Sequence, residues 1–158
     1  MFVYSIRRAH PDEALSLSAL ALRSKAYWGY STEFIAACRE ELSYTAEQIR
    51  GNEFRFFVAE HGGALTGFYA LRSLAAAAME LEALFVDPSY IGKGFGRALI
   101  DHAKCTAAEL GAVTLIVQGD PHAERFYRAA GGKRTGQQES ASIPGRYLPT
   151  FAIALTDS

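Results

Sequence analysis

The spacing of hydrophobic positions along this chain shifts between a period of two and a period near three and a half, and each shift predicts an element. Residues 3–8 alternate, with Val3, Ser5 and Arg7 against Tyr4, Ile6 and Arg8, and predict a first strand. Pro11-Asp12-Glu13 opens a helix, with proline in the first turn and acids near the positive helix end. That helix carries Leu15, Leu17, Leu20 and Leu22 and runs to about Tyr27. Ser31 or Thr32 with Glu33 starts a second helix through Phe34, Ile35, Cys38 and Leu42, and a short third follows over residues 45–49.

From Phe54 the period returns to two. Residues 55–60 form a strand, His61-Gly62-Gly63 a hairpin turn, and residues 65–71 the returning strand. Residues 79–86 are a further strand that stops at Asp87-Pro88. Residues 96–110 have helical spacing, with Leu99, Ala103, Ala107 and Leu110 on one stripe and Gly111 as the C-cap. Residues 113–117 are β-branched and apolar, a fully buried strand parallel to its predecessor. A helix over residues 121–130 closes at Gly131-Gly132, and strands at 133–139 and 147–155 flank Pro144-Gly145. The order β-α-α-β-β-β-α-β-α-β-β predicts one α/β domain over residues 1–158, with a sheet antiparallel at its start and parallel across the glycine-rich crossover. No repeat, low-complexity stretch or linker interrupts it.

Composition narrows the class. The chain has 158 residues, 49 % hydrophobic and 21 % charged, which is enough to bury a core. A net charge of −1 leaves no global field to draw nucleic acid or an anionic membrane. The N-terminus lacks a signal-peptide core, and no apolar run approaches the roughly 20 residues of a membrane span. Cys38 and Cys105 have no Cys-x-x-Cys spacing and read as reduced, buried filler, so the expected compartment is cytoplasmic. No His/Cys/Asp cluster has metal-ligand spacing, so no metal is expected.

The chemistry concentrates in Gly92-Lys93-Gly94-Phe95-Gly96, a turn between a strand and a helix. A helix N-terminus has unpaired amides and partial positive charge, and glycines remove the Cβ atoms that would hold an anion away. Lys93 and Arg97 add charge. The turn is therefore a phosphate cradle. A Walker loop needs Gly-Lys-Ser/Thr, and here Gly94 follows Lys93. A dinucleotide fingerprint needs its third glycine one residue later and near the first strand.

The segment from Val86-Asp87-Pro88 through Gly92-Lys93-Gly94-Phe95-Gly96-Arg97-Ala98-Leu99 resembles motif A of the GNAT superfamily of N-acetyltransferases. Asp120-Pro121-His122-Ala123-Glu124-Arg125-Phe126-Tyr127-Arg128-Ala129-Ala130-Gly131-Gly132 resembles the same family's Asn-x-x-Ala-x-x-Phe-Tyr-x-x-x-Gly-Phe segment. The resemblance covers most of the chain from Phe54 onward. It departs at Ile91, where Gln or Arg is usual, at Asp120 in place of Asn, and at Gly132 in place of Phe.

The resemblance implies a GNAT-like domain, its mixed, mostly antiparallel sheet splayed between strands four and five and flanked by helices. It implies acetyl-CoA as acyl donor. The implied donor-binding residues are Leu84, Phe85, Val86, Ile91, Gly92, Lys93, Gly94, Phe95, Gly96, Arg97 and Asp120, with the negative charge of Asp120 counting against a side-chain contact. Tyr127 holds the position of the family's general-acid tyrosine. A homodimer is compatible with it.

An ammonium acceptor must lose its proton before attack, which costs roughly 4–5 kcal/mol at pH 7 for a lysine-like group. Period two places Glu80 and Glu82 on the face of Leu84 and Val86, so either carboxylate, or a water relay, is the candidate base. Tyr27, Trp28 and Tyr30, with Arg146 and Tyr147, are the candidate acceptor-binding residues, and His122 lies near the donor side. The expected activity is transfer of an acetyl group to a primary amine of a small molecule or peptide, directly within a ternary complex. The competing expectation is a non-catalytic acyl-CoA sensor or partner subunit.

Overall fold

A computed structural model describes residues 4–74 and 77–155. The first strand therefore begins within the described residues at Ser5, while Val3, which the sequence pattern included, lies outside them. The elements are β1 (Ser5–Arg8), α1 (Ala14–Ala26), α2 (Thr32–Cys38), α3 (Ala46–Arg50), β2 (Phe54–His61), β3 (Ala64–Ser73), β4 (Ala78–Val86), α4 (Phe95–Glu109), β5 (Thr114–Gln118), α5 (Glu124–Ala129), β6 (Gly132–Glu139) and β7 (Tyr147–Ala154). Short 3-10 turns at Pro11–Glu13, Pro88–Tyr90 and Pro121–Ala123 lead into α1, the glycine turn and α5 respectively.

Local chemistry accounts for the helix starts. Ser31 accepts from the Phe34 amide at 3.1 Å, and Thr45 and Gln48 exchange bonds of 3.1 and 2.9 Å in a capping box. The predicted second helix ends early, at Cys38, because the chain tightens into turns there, with Arg39 N bonding to Ala36 O. Leu42 is still buried, by the turn rather than by a helix.

Seven strands form one sheet in the order β1-β2-β3-β4-β5-β7-β6, antiparallel everywhere except β4–β5. Alternation along β2 and β3 feeds two cores. Phe56, Val58, Phe68 and Ala70 pack under α1–α3 with Leu17 and Leu20. Tyr69, Leu71, Leu81 and Leu115 pack under α4 and α5 with Leu99, Ile100 and Ala103. Two predicted core leucines are not in either: Leu15 is 85 % exposed and Leu110, the C-cap of α4, is 46 % exposed. The stripe of α4 runs instead through Phe95, Leu99, Ile100, Ala103 and Ala107. Cys38 is buried as expected, whereas Cys105 is on the outer face of α4 and exposed.

Gly67 shows how tightly β3, β4 and α4 meet. A Cβ there would lie 2.7 Å from the Phe85 carbonyl oxygen and 2.9 Å from Leu99 Cδ1. Backbone cannot retreat as a flexible side chain can, so Gly67→Ala is expected to lose about 1–3 kcal/mol of stability. Urea denaturation checks this; an unchanged midpoint would contradict the packing described.

Two features of β4 set up the site. Its pairing with β5 runs from Ala78↔Thr114 to Leu81↔Val117 and stops, so the strands part beyond Leu81. Its register with β3 jumps from Leu71↔Leu81 to Ala70↔Ala83, which leaves Glu82 as an extra, unpaired residue. That bulge reverses the alternation: Met79, Leu81, Leu84 and Val86 face α4, while Ala83 and Phe85 face α1.

Candidate active site: the open seam between β4 and β5

The seam opens into one cleft of about 730 Å³. At one end lie Ile91, Gly92, Gly94, Gly96 and Arg97; at the other lie Glu41, Tyr44, Phe54, Arg72 and Leu148. Glu80, Glu82, Asp120 and Tyr127 line it between them.

The glycine turn is built as a cradle. Gly92 and Gly94 have φ of 82° and 89°, in the left-handed region that favours glycine, and nothing lies within 4 Å of where a Cβ would project. Gly94 is the N-cap of α4, whose first backbone bond runs from Ala98 N to Gly94 O at 3.0 Å. The amides ahead of that bond belong to the part of a helix without intrahelical acceptors. Gly96 has a different duty: a Cβ there would come within 3.3 Å of the Phe126 ring, so its bareness lets α5 close on α4. Phe95 is only 2 % exposed, so its side chain serves the core and only its backbone belongs to the turn. Arg97 is exposed and pairs with Asp101 at 3.3 Å.

The two glutamates are not where strict alternation put them. Because of the bulge, Glu80 does not share a face with Leu84 and Val86, and Glu82 sits beside Tyr44 and Glu41 on the α1–α3 side. Glu80 is committed to Arg72 at 2.7 Å. Glu82 has no hydrogen bond or ion pair among the described residues, although its carboxylate is open to the cleft. Enclosure by the cleft walls, then the charges of Glu80 and Glu41, push its carboxyl up to about 7.

Tyr127 reaches the seam from the opposite side, held by edge contact with Phe126 and by Phe151. It is buried, and its hydroxyl has no hydrogen-bond partner among the described residues. Burial, then the charge of Asp120, raises its pKa well above the ordinary phenol value, so it stays protonated. The seam thus brings a carboxylate from one face of the sheet and a phenol from the other into one cleft.

Asp120 lines the cleft, but its carboxylate is taken up by contacts within the protein. It caps the turn after it by accepting from the His122 amide at 2.9 Å. It also receives Lys25 Nζ at 2.6 Å, the Tyr30 hydroxyl at 2.9 Å, the His122 ring at 2.9 Å and Arg146 at 3.4 Å. Burial opposes its ionisation, but the bond and charge of Lys25 and the bonds from His122 outweigh that and hold the carboxyl well below the usual range. A carboxylate has about four lone-pair sites, and these partners use them. Its neighbours include the aromatic residues expected at the acceptor: Trp28 stacks on His122 at 5.0 Å and lines the cleft, and Tyr30 stacks on Phe34 at 4.1 Å. Tyr27, Tyr30, Arg146 and Tyr147 are outside the cleft lining, and Tyr27 and Tyr147 are each 52 % exposed. Of the other histidines, His102 is half-buried and bonded to the Tyr69 hydroxyl at 2.7 Å, a core contact.

Residues 22–131 match the family description "Acetyltransferase (GNAT) family". The chain belongs to the GNAT family of acetyltransferases. The peptidyl-lysine N-acetyltransferase YjaB of Escherichia coli is 30 % identical over 153 residues, covering 96 % of this chain and 97 % of that one. Among solved structures, the PaiA N-acetyltransferase from Thermoplasma acidophilum in complex with coenzyme A superposes with a TM-score of 0.79 at 21 % identity, covering 96 % of this chain and 99 % of that one. YncA from Salmonella typhimurium, described as a putative acetyltransferase with its cofactor acetyl-CoA, gives 0.69 at 21 % identity, covering 99 % and 96 %. As in the expected GNAT fold, the sheet is mixed and mostly antiparallel, and it opens between β4 and β5.

Sequence patterns did not reach Glu41, Tyr44, Arg72 or Phe54, which enter the cleft only through tertiary folding. Among the described residues there is no cluster that could hold a metal, and no helix is long and apolar enough to cross a membrane.

Proposed function

We propose that this GNAT protein transfers an acetyl group from acetyl-CoA to a primary amine, and that the amine is a lysine side chain of a peptide or protein. The observation that carries the reading is the single cleft, which runs from the glycine turn to Glu82 and passes Tyr127 at the seam. One continuous cleft suits donor and acceptor bound together, with direct transfer between them.

The donor end fits a pyrophosphate. Gly92 and Gly94 leave the space that a phosphate needs to approach the amides at the start of α4. The backbone of Leu84, Phe85 and Val86 lies beyond the last β4–β5 pair, where it is free to take an extended arm as an added strand. When bound, acetyl-CoA supplies the thioester acyl group and a thiolate leaving group. Glu82 accepts the ammonium proton of the acceptor and frees the nitrogen lone pair to form the amide bond as the carbon–sulfur bond breaks. The second nitrogen proton, shed as the amide forms, passes to the departing sulfur by way of the Tyr127 hydroxyl, which is protonated at rest, so that coenzyme A leaves as the free thiol.

The acceptor end fits an alkylammonium. Leu42, Phe54 and Leu148 offer apolar walls for a stem, and Glu82 offers the carboxylate for its head. The name and near full-length similarity of the Escherichia coli relative support lysine. The test is incubation with acetyl-CoA and a lysine-containing peptide, read as release of coenzyme A thiol together with a mass gain of one acetyl group on lysine. Tight acetyl-CoA binding with no product from peptides or an amine panel would replace this reading with that of a sensor.

A further inference from the structure

We propose that Asp120 is a positioning residue for the acceptor half of the cleft. It latches the loop between β6 and β7, and the Trp28–Tyr30 segment, against the end of β5. The latch deepens the function proposed above, since it concerns the acceptor end of the same cleft.

Three segments converge on this carboxylate from distant parts of the chain: Lys25 from α1, Tyr30 from the α1–α2 loop and Arg146 from the β6–β7 loop. Lys25, Asp120 and Arg146 have side-chain exposures of only 14 %, 15 % and 18 %, so solvent screens their interaction weakly. Lys25 and Arg146 reach the same oxygen, Oδ2. Both cations also lie over the Tyr30–Phe34 stack: Lys25 Nζ is 5.4 Å from the Tyr30 ring centre, and the Arg146 guanidinium is 4.8 Å from that of Phe34. Two shielded cations this close require a counter-charge.

An asparagine, the residue this motif usually carries, would keep the turn cap but remove that charge. Lys25 and Arg146 would then repel each other. Lys25 is anchored in a helix, so the loop bearing Arg146 is the part that gives way. That loop continues into Gln138, Ala141 and Leu148, which line the acceptor end of the cleft, and Ser142 within it bonds to Glu41 on the far wall. Releasing it opens the acceptor wall and leaves the glycine turn untouched.

The test compares the full-length protein with Asp120→Asn, Arg146→Gln and the double variant Asp120→Asn/Lys25→Met. The first readout needs no substrate. Amide exchange in residues 140–146, where the Ser140 and Arg146 amides are bonded internally, is expected to quicken about tenfold in Asp120→Asn and in Arg146→Gln. Arg146→Gln leaves Asp120 paired with Lys25, so its result stands even if Asp120→Asn fails to fold. In the double variant the repulsion is gone, and exchange is expected to return at least half-way to wild type. Emission from Trp28, the chain's one tryptophan, should shift in Asp120→Asn and recover in the double variant.

With acetyl-CoA and the lysine peptide, both single variants are expected to raise the peptide KM about tenfold and to leave the acetyl-CoA KM within about twofold. Unchanged loop exchange in both single variants would overturn the latch. A double variant worse than Asp120→Asn would do the same, as would weakened acetyl-CoA binding with the peptide KM unmoved. A wild-type protein that fails to acetylate the peptide would count against the lysine acceptor alone, because exchange and emission judge the latch without it.

Discussion

Glu82→Gln is expected to lower kcat by about 10²–10⁴-fold, with both substrates still bound. The glutamine keeps the shape of the side chain and its place on the bulge, but it cannot take a proton. The pH profile is the sharper measurement. With the carboxyl pushed up to about 7, the wild-type rate should rise with pH through 7 and level off above it, because only the ionised form is a base. Glu82→Gln should lose that limb. An acetyltransferase whose profile still turns near pH 7 without Glu82 would have its base elsewhere.

Stability should move the other way. The folded-state pKa lies above the ordinary value of 4.5, so between about 4.5 and 7 the folded protein binds a proton that the unfolded chain has released. Stability from this group is therefore fully present below 4.5 and is lost as pH rises through 7. Glu82→Gln should accordingly be more stable relative to wild type at pH 8 than at pH 4, as thermal unfolding at the two values would measure. A group kept in a cleft at a cost in stability is the pattern of a site optimised for chemistry.

The candidate base was half-legible in the sequence. Two acids inside one strand stood out, but alternation put both on the face of Leu84 and Val86, and one extra residue undoes that placement. A bulge changes the face of everything after it, and nothing in Glu80-Leu81-Glu82-Ala83 announces one, since it depends on the register with β3. The glycine turn was legible because its information is local: positive φ, a missing Cβ and a helix start all sit within a few residues. The order of strands and helices was legible for the same reason, through period and capping. Asp120 lies at the opposite limit. Its partners are up to 95 residues away, so its charge could be noticed, but not what it pairs with. Leu15 was misread because helical spacing alone does not say which side of a two-sided stripe meets the sheet.

Tyr127→Phe is expected to cut kcat by about a hundredfold and to leave folding nearly unchanged. Removing a hydroxyl usually strands its hydrogen-bond partner, and that is where most of the stability cost arises. Here the hydroxyl has no partner among the described residues, while the ring carries the packing, against Phe126 and Phe151 and close over Gly119. Phenylalanine retains all of that packing, so the melting temperature should stay within a few degrees. The hydroxyl is thus placed for something other than the fold. Because burial and Asp120 keep it protonated, it has a proton to donate, and the group that needs a donor during transfer is the departing thiolate. The loss should therefore fall on kcat, with acetyl-CoA affinity by calorimetry within about twofold of wild type. It should also shrink for donors whose thiol has a lower pKa, since a better leaving group needs less help. Equal losses across donors of different leaving-group pKa would remove Tyr127 from the role of acid and leave it as a wall of the cleft.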